Sequence, residues 1–590
     1  MNRTELVGPY DEGLNGVNQP ANIAFVQILW ASVGLLAAVL ISIQLALLRV
    51  RRQRRRTLAD APKDGDQAIW ARPVFVWVPA VKRHFLYAPL FKFRRARRLS
   101  VFGTLPSRSL GGFLLFYAAG NAAYMFAVDF GNPNKYALCA EIRGRTATLA
   151  VANMLPLVLL IGHSNPLTML LRLKYDECIM LHRWIGRLII LEGLLHGTAW
   201  AIVHVTDKGW ASVGTEIRHH GFITAGFVAW VSFALILVFS FYPFRSAHYE
   251  TFVVVHIVLA LAVVAATIAH CELTGLDIPQ TSWIVAVAAL WGLERLVRAV
   301  QLVRRSFTLQ NRAFAVVEAV EGSADVCRIT MNLPRRVDVR PGSHAYIRLA
   351  SVRFWETHPF SVAWAKNHQS PRLGKSPVGS GRQKMTTSVS FIVCAQKGFT
   401  RSLFERASAC GGLLTTGATF EGPYDGHTSL DSYGHVVLVA GATGITHQLG
   451  YVRRLVAGHD LRVTAARRIV LIWTIRHSDA VGWIRSWLEE ILQLPGCSRL
   501  LRVKIFITRE SPGQPGSPRV CSEGTENVVS YYYERPCVSG LLQDEVERQI
   551  GAMMVAVCGP GGLADEVRAA ARECQRSGNE IDFEENGFSW

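Results

Sequence analysis

His182-Arg183-Trp184-Ile185-Gly186-Arg187-Leu188-Ile189-Ile190-Leu191-Glu192-Gly193-Leu194-Leu195-His196 is an apolar stretch bounded by two histidines fourteen positions apart. A second apolar stretch, from His256 to His270, repeats that interval. Fourteen residues is close to four helical turns, so both imidazoles of a pair point to nearly the same side, roughly 21 Å apart along the axis. That is a large part of a hydrocarbon core about 30 Å thick. Two such helices facing each other give two bis-histidine sites stacked across a membrane, the geometry of an electron wire made of two haems. Neutral imidazole is a good axial ligand for haem iron. Two axial ligands leave no open position, which suits electron transfer. A single histidine in a membrane helix is more simply a hydrogen-bonded packing residue. Two pairs at equal spacing are hard to obtain by packing alone, and ionisable groups at membrane depth are costly. His182, His196, His256 and His270 are therefore the candidate ligands of haem iron.

The chain around these stretches has 590 residues, of which 50% are hydrophobic, and its length suggests several domains. The apolar residues concentrate between Ala21 and Val303. Seven spans can be drawn there, at roughly 22–48, 109–129, 146–162, 178–204, 220–242, 249–271 and 281–303. A net charge of +19 could suggest nucleic acid, but the basic runs flank hydrophobic spans instead. One runs from Arg49 to Arg56 and another from Arg94 to Arg98. They read as cytosolic flanks, which puts the N-terminus outside and the C-terminal half inside. No nucleic-acid partner is expected. The fourth and sixth spans then run in the same direction. His182 lies level with His256 on the inner side, and His196 with His270 on the outer side.

Other polar residues of the spans follow from this frame. Arg183 and Arg187 flank the inner histidine and could meet haem propionates or lipid phosphates. Glu192 must be paired or face a cavity. His204, His219 and His220 fall near the outer face and read as exposed loop histidines, with metal-substrate binding as the alternative. The eleven cysteines are scattered without a CxxC pair, so neither a disulfide framework nor a structural zinc site is suggested. Cys139 and Cys271 both fall near the exterior, where a disulfide could join them.

Beyond Phe307 the pattern changes. Short alternating strands at Phe314–Val320, Cys327–Met331, Ala345–Leu349 and Ser388–Cys394 suggest an antiparallel barrel. From His435, buried apolar runs at Val436–Ala440, Ile469–Trp473, Val503–Thr508 and Met553–Cys558 alternate with helical segments, as in a doubly wound parallel sheet. Gly441-Ala442-Thr443-Gly444-Ile445-Thr446 follows the first of those runs and opens a helix. Glycines there let the backbone approach a pyrophosphate at a helix N-terminus. Two polar stretches, Lys366–Met385 and Glu510–Asn527, read as mobile loop insertions without chemistry.

The span from His182 to Arg187, with its interval closed by His196, resembles the haem-binding span of the fungal ferric reductases, whose architecture is shared with the NADPH oxidases. The resemblance runs from about Arg94 to Trp590, and the fungal metalloreductases typically carry an extra first span such as this one. It implies four parts. Residues 1–108 form an exoplasmic N-terminus, a first span and a basic cytosolic loop. Residues 109–304 form a six-helix core binding two b-type haems. Residues 307–430 form an FAD-binding β-barrel, and 431–590 an α/β domain binding NADPH. The last two make a ferredoxin-NADP reductase-like module after a membrane α-helical bundle.

The family's flavin motif resembles His358-Pro359-Phe360-Ser361, where Ser361 would supply the hydroxyl to the flavin ring and His358 and Phe360 would position the cofactor. Lys397-Gly398-Phe399-Thr400 resembles the second flavin element, with a backbone amide and Thr400 on the pyrophosphate and Arg401 nearby as a cation. The loop holding Gly441, Thr443, Gly444 and Thr446 resembles the NADPH-binding loop. Cys558-Gly559-Pro560 would lie beside the nicotinamide, and Arg476 is the candidate for the adenosine 2′-phosphate. The terminal aromatics Phe588 and Trp590 resemble the residue that covers the flavin ring in the family. Ser361, Cys558 and Trp590 would then surround the reacting rings.

The resemblance implies a multi-pass protein of the plasma membrane, an internal membrane being the other option. Electrons would pass from cytosolic NADPH to an extracellular ferric chelate, or cupric ion, and so support an iron-uptake system. Reduction of dioxygen to superoxide, as in an NADPH oxidase, is the alternative. A membrane transporter with proton- or metal-binding histidines is a reading of another class, and it leaves the nucleotide-binding half without a purpose.

Overall fold

The computed structural model describes residues 7–60, 67–91, 105–162, 165, 170–320, 325–369, 385–510 and 528–587. Phe588, Trp590 and the basic run Arg94–Arg98 lie outside the described residues. The chain divides into two compact units. The first holds Met1–Gln44 and Arg98–Leu296, the second Leu45–Arg97 and Val297–Trp590.

The first unit is helical. Its long helices are α1 (Gln19–Asp60), α2 (Arg108–Met125), α3 (Lys135–Ile161), α4 (Tyr175–Lys208), α6 (Gly221–Phe239), α7 (Tyr249–Glu272) and α8 (Pro279–Ser306), with a shorter α5 (Trp210–His219) between α4 and α6. A helix stands at each of the seven expected positions. Five of them, α1, α3, α4, α6 and α7, are long and apolar enough to cross a membrane. The other two fall short: α2 is 18 residues long with Arg108 and Asn121 among them, and α8 has Glu294, Arg295 and Arg298 in its second half.

The third helix begins eleven residues before its expected start. Asn134 caps it by accepting from Tyr136 N at 2.9 Å, as short polar side chains do at helix N-termini. Two arginines that fall between the expected spans meet partners inside the protein. Arg143 donates to the carbonyls of Tyr10 and Gly13. Arg145 reaches Glu141 at 3.2 Å and lies 4.3 Å over the ring of Phe25. The helix α5 was expected as loop. The bundle interior is apolar, built on Leu149, Met154, Ile185, Ile189, Phe233 and Val263.

The second unit contains two sheets. The first is antiparallel, in the order β4-β3-β7-β1-β2-β6-β5. Its strands are β1 (Phe314–Ala319), β2 (Val326–Leu333), β3 (Ser343–Leu349), β4 (His358–Ser361), β5 (Trp364–Gln369), β6 (Met385–Cys394) and β7 (Leu413–Asp425). Helix α9 (Phe399–Ala409) packs on it. Inward residues alternate along β2, where Cys327, Ile329, Met331 and Leu333 enter the core, the period expected of a half-buried strand.

The second sheet is parallel, in the order β11-β10-β9-β8-β12-β13. Its strands are β8 (His435–Gly441), β9 (Arg468–Ile475), β10 (Leu501–Ile507), β11 (Val529–Tyr532), β12 (Met553–Cys558) and β13 (Ile581–Asn586). Every residue of β8 and β12 is buried. Val437, Val439, Val555 and Val557 face one core, while Val436, Leu438, Met554 and Ala556 face another. Helices on both faces make such strands read as continuous apolar runs.

The first polar stretch is not wholly an insertion. Lys366 to Gln369 belong to β5, and Met385 opens β6. Residues 370–384 and 511–527 lie outside the described residues.

Candidate functional site

In the helical unit, α4 and α7 bring the four histidines together two by two. The rings of His182 and His256 have centroids 6.2 Å apart, and those of His196 and His270 are 6.0 Å apart. An imidazole nitrogen sits about 2 Å from a bound transition metal. One metal between two facing rings therefore spaces their centroids by about 6 Å, and the donor set suits haem iron. The rings of His196 and His270 are aimed by the backbone. His196 Nδ1 stands 3.0 Å from the Arg143 carbonyl and His270 Nδ1 stands 2.9 Å from the Phe222 carbonyl. A carbonyl only accepts, so Nδ1 carries the proton and Nε2 keeps its lone pair for a metal.

The polar residues nearby have partners. Glu192 is fully buried. Asn153 donates to both its oxygens, at 3.1 and 3.0 Å, and also to Asn121 Oδ1 at 2.7 Å. Tyr117 closes the network by donating to Asn153 Oδ1 at 2.5 Å. Arg187 lies 4.7 Å over the ring of Trp184.

His204 is not an exposed loop residue. It is buried, with Nδ1 2.9 Å from Asp11 Oδ1 and Nε2 3.0 Å from Ser212 Oγ. Helix α4 continues past it to Lys208, which meets Asp11 at 2.8 Å. The sequence signal was the acidic Asp11, in a segment too short to be weighed. His219 and His220 are exposed, and His220 pairs with Glu216 at 2.7 Å. Cys139 and Cys271 are free thiols, not a disulfide.

In the antiparallel sheet, His358, Pro359, Phe360 and Ser361 form the edge strand β4, half-buried along its length. Its register sets Ser361 opposite His344 and Pro359 opposite Tyr346. The His358 ring stacks on Phe399 at 4.4 Å, and its Nε2 lies 3.0 Å from Glu356 Oε2. The two flavin motifs are thereby brought side by side. Lys397 and Gly398 lead into α9, and Gly398 adopts φ +67, a left-handed turn that favours glycine. Thr400 Oγ1 accepts from Gln396 N at 2.9 Å. Above this turn the nearest side-chain atom to a notional Cβ on Gly398 is Arg353 Nη1, at 4.0 Å. The free amides of a helix start and the open space over them suit a pyrophosphate.

Arg401 is engaged elsewhere, in a two-pronged bond to Asp325 at 2.8 and 3.1 Å. Arg353 is a second cation beside Gly398, its Nη1 held 3.0 Å from Glu356 Oε1. It was missed because it stands in neither motif, and its proximity arises only when β4 and α9 pack.

In the parallel sheet, the order of strands reverses between β8 and β12. Ligands bind outside the carboxyl ends of strands at such a switch point. Gly441, Thr443 and Gly444 leave β8 there, and Cys558, Gly559 and Pro560 leave β12, with Cys558 opposite Ala440. The two loops touch. A Cβ on Gly444 would collide with the Cys558 carbonyl, and one on Gly559 would stand 2.9 Å from Gly441 N. Thr446 Oγ1 donates to the Thr443 carbonyl at 2.8 Å, bracing the turn into α10 (Ile445–Asp460).

Arg476 is exposed at the end of β9. Arg509, past the end of β10, donates its backbone N–H to the Arg476 carbonyl at 3.1 Å. Two arginines thus share one corner of the sheet. The second was overlooked because it adjoins the polar stretch read as an insertion. Strand β13 ends level with β12, Asn586 pairing with Cys558.

Comparison with known proteins agrees with this division. Residues 146–267 match the ferric reductase like transmembrane component, 309–374 an FAD-binding domain, and 433–572 the ferric reductase NAD binding domain. The chain is 26% identical to ferric reductase transmembrane component 3 of Saccharomyces cerevisiae, over 83% of this chain and 68% of that one. It is 24% identical to ferric/cupric reductase transmembrane component 2 of the same yeast, over 86% and 71%. It is 25% identical to ferric/cupric reductase transmembrane component 1 of Candida albicans, over 76% and 57%. The three matched ranges follow in order through the bundle, the antiparallel sheet and the parallel sheet, and the chain belongs to the ferric reductase family.

Proposed function

We propose that the chain is a transmembrane metalloreductase that takes reducing equivalents from cytosolic NADPH and delivers them to ferric chelates outside the cell, with FAD and two b-type haems between them. The observation that carries this reading is the pair of facing histidine couples, 6.2 and 6.0 Å between ring centroids, in one chain with a flavin- and nucleotide-binding unit. Bound FAD supplies the change from a two-electron donor to one-electron acceptors.

The chain's own residues bind and orient. His182 and His256 hold the inner haem, and His196 and His270 the outer one. His358, Pro359, Phe360 and Ser361 line the flavin ring, while Lys397, Gly398, Thr400 and Arg353 face its phosphates. Gly441, Thr443, Gly444 and Thr446 cradle the NADPH pyrophosphate. Cys558, Gly559 and Pro560 would seat the nicotinamide, and Trp590 is assigned to the flavin ring by the family resemblance. Arg476 and Arg509 favour a 2′-phosphate. The basic run after α1 supports an outside N-terminus and a cytosolic reductase unit, in a plasma membrane where the product would serve iron uptake. Cupric ion is a second acceptor, favoured by the names of two of the relatives.

The test uses purified protein in sealed vesicles, sorted for outward-facing reductase units. NADPH is added outside, and a ferric chelate and superoxide dismutase are trapped inside. Ferrous chelate should form inside at a rate the dismutase does not change, and the protein should show reducible b-type haem bands. Absence of haem bands, or suppression by the dismutase, overturns the reading.

A further inference from the structure

Residues 67–91 follow α1 in the second unit and form an arm with two unlike faces. One face is polar and bonded to the nucleotide-binding domain. Lys82 Nζ lies 2.7 Å from Glu580 Oε1 and 2.8 Å from Asp582 Oδ1. Tyr87 Oη donates to Asp582 at 3.2 Å, and Gln67 Nε2 donates to the Ala465 carbonyl at 2.9 Å. The backbone joins in, Glu580 N donating to the Ala71 carbonyl at 2.7 Å. These bonds fasten the arm to the start of β13.

The other face is apolar and open. Val74 is 70% exposed, Val76 95% and Trp77 62%. Ile69 and Phe75 are exposed beside them, and the rings of Phe75 and Trp77 stack at 5.7 Å. Contiguous exposed apolar residues of this kind mark an interaction surface.

Connectivity and charge select the occupant. The arm begins seven residues after Asp60, the last residue of α1, a helix long and apolar enough to cross a membrane, so it is tethered close to the bilayer. The exposed Arg52, Arg55 and Arg56 precede it, Arg54 being buried over the Tyr433 ring, and Arg94, Arg95, Arg97 and Arg98 follow it in the sequence. Aliphatic and aromatic side chains edged by arginines are the makeup of a segment lying in the headgroup region, and basic segments there seek anionic lipid. We propose that the Val74–Trp77 face inserts into an anionic leaflet, so that the arm brackets the nucleotide-binding domain to the membrane surface. The proposal goes beyond the electron path and does not depend on which acceptor or cofactor the chain uses.

The test places a nitroxide at Val76→Cys in the full-length chain, with Cys410, Cys521 and Cys537 replaced by serine. A second label at Leu461→Cys, exposed on the nucleotide-binding domain, is the solvent control. The protein is studied in nanodiscs of phosphatidylcholine with phosphatidylserine. Oxygen should relax the label at 76 strongly, and a water-soluble nickel chelate should relax it several-fold less than at 461. In nanodiscs of phosphatidylcholine alone that protection should weaken; equal protection overturns the anionic preference. Free access of nickel to 76 overturns lipid insertion. Exclusion of both oxygen and nickel also overturns it, because protein then covers the face.

Discussion

His196 receives its orientation from Arg143: the imidazole Nδ1 stands 3.0 Å from the Arg143 carbonyl. The same residue uses its guanidinium to hold the carbonyls of Tyr10 and Gly13, at 3.1 and 3.0 Å. The outer histidine and the N-terminal segment are thus fixed by one residue of α3. The rings of His196 and His270 are both held at Nδ1, so each keeps its Nε2 for the proposed haem.

On the proposed haem assignment, His196→Ala would remove one of two axial ligands from the His196–His270 site alone. Haem content should fall from about two to about one per chain by pyridine haemochrome, a bis-imidazole site having no spare ligand. Reduction of an external chelate should be lost. NADPH-driven reduction of a soluble dye by the reductase unit should persist. Loss of the dye reaction as well would mean that His196 serves folding.

Gly226 tests the second outer ring from behind. A Cβ there would lie 2.9 Å from His270 Nδ1 and 3.0 Å from Cε1. Gly226→Ala should push the ring off the Phe222 carbonyl, at an overpacking cost of about 1–3 kcal/mol. Its haem content should drop towards that of His196→Ala. Gly292→Ala, whose Cβ meets nothing within 4 Å, should leave haem content unchanged and raise thermal stability slightly, as Ala does for Gly inside a helix. Equal effects from both substitutions would show a general helix response instead of a ring displacement.

What the sequence could say depended on how local the signal was. The histidine interval is a property of one helix, so the pairs were legible before any tertiary contact. The buried runs of β8, β9, β10 and β12 were legible too, because strands covered on both faces need apolar residues throughout. Strand β13 is not legible as a strand because Ile581–Asn586 is half acidic; Glu584 and Glu585 are nevertheless buried. His204 needed Asp11, 193 positions away, and no periodicity carries a contact of that kind. The arm at 67–91 read as a basic loop because its lysine partners, Glu580 and Asp582, lie at the far end of the chain.

Arg476 and Arg509 predict the preference between nucleotides. They stand at neighbouring strand ends of the parallel sheet. A hydrogen bond to a charged group contributes about 1.5–3 kcal/mol, which is roughly 10- to 100-fold in affinity. Arg476→Ala and Arg509→Ala should each raise KM for NADPH by such a factor and leave KM for NADH and kcat nearly unchanged. Dye-reduction kinetics with both nucleotides measure this. An equal rise for NADH would place the arginines on a part that the nucleotides share.

Glu545 predicts how the reductase unit responds to acid. Its carboxylate is buried beneath the parallel sheet, with Arg468 at 2.6 Å and His435 at 3.2 Å. Burial pushes the carboxyl up, but the hydrogen bonds and charges of His435 and Arg468 outweigh it and hold the group at about 2. In the unfolded chain a glutamate titrates near 4.3. The folded state therefore binds the proton less readily, and its advantage is complete above about pH 4.3. It fades as pH falls towards 2, a difference on the order of 3 kcal/mol. Glu545→Gln removes the titrating group and leaves Arg468 without its counter-charge. The variant should be less stable at pH 7 by several kcal/mol, as expected when one partner of a buried pair is removed. Between pH 4.5 and 2 its stability should fall less steeply than that of the unaltered protein. Thermal unfolding of the full-length protein, followed across that range, reads both effects. Parallel acid slopes for the two proteins would mean that another carboxylate controls the transition.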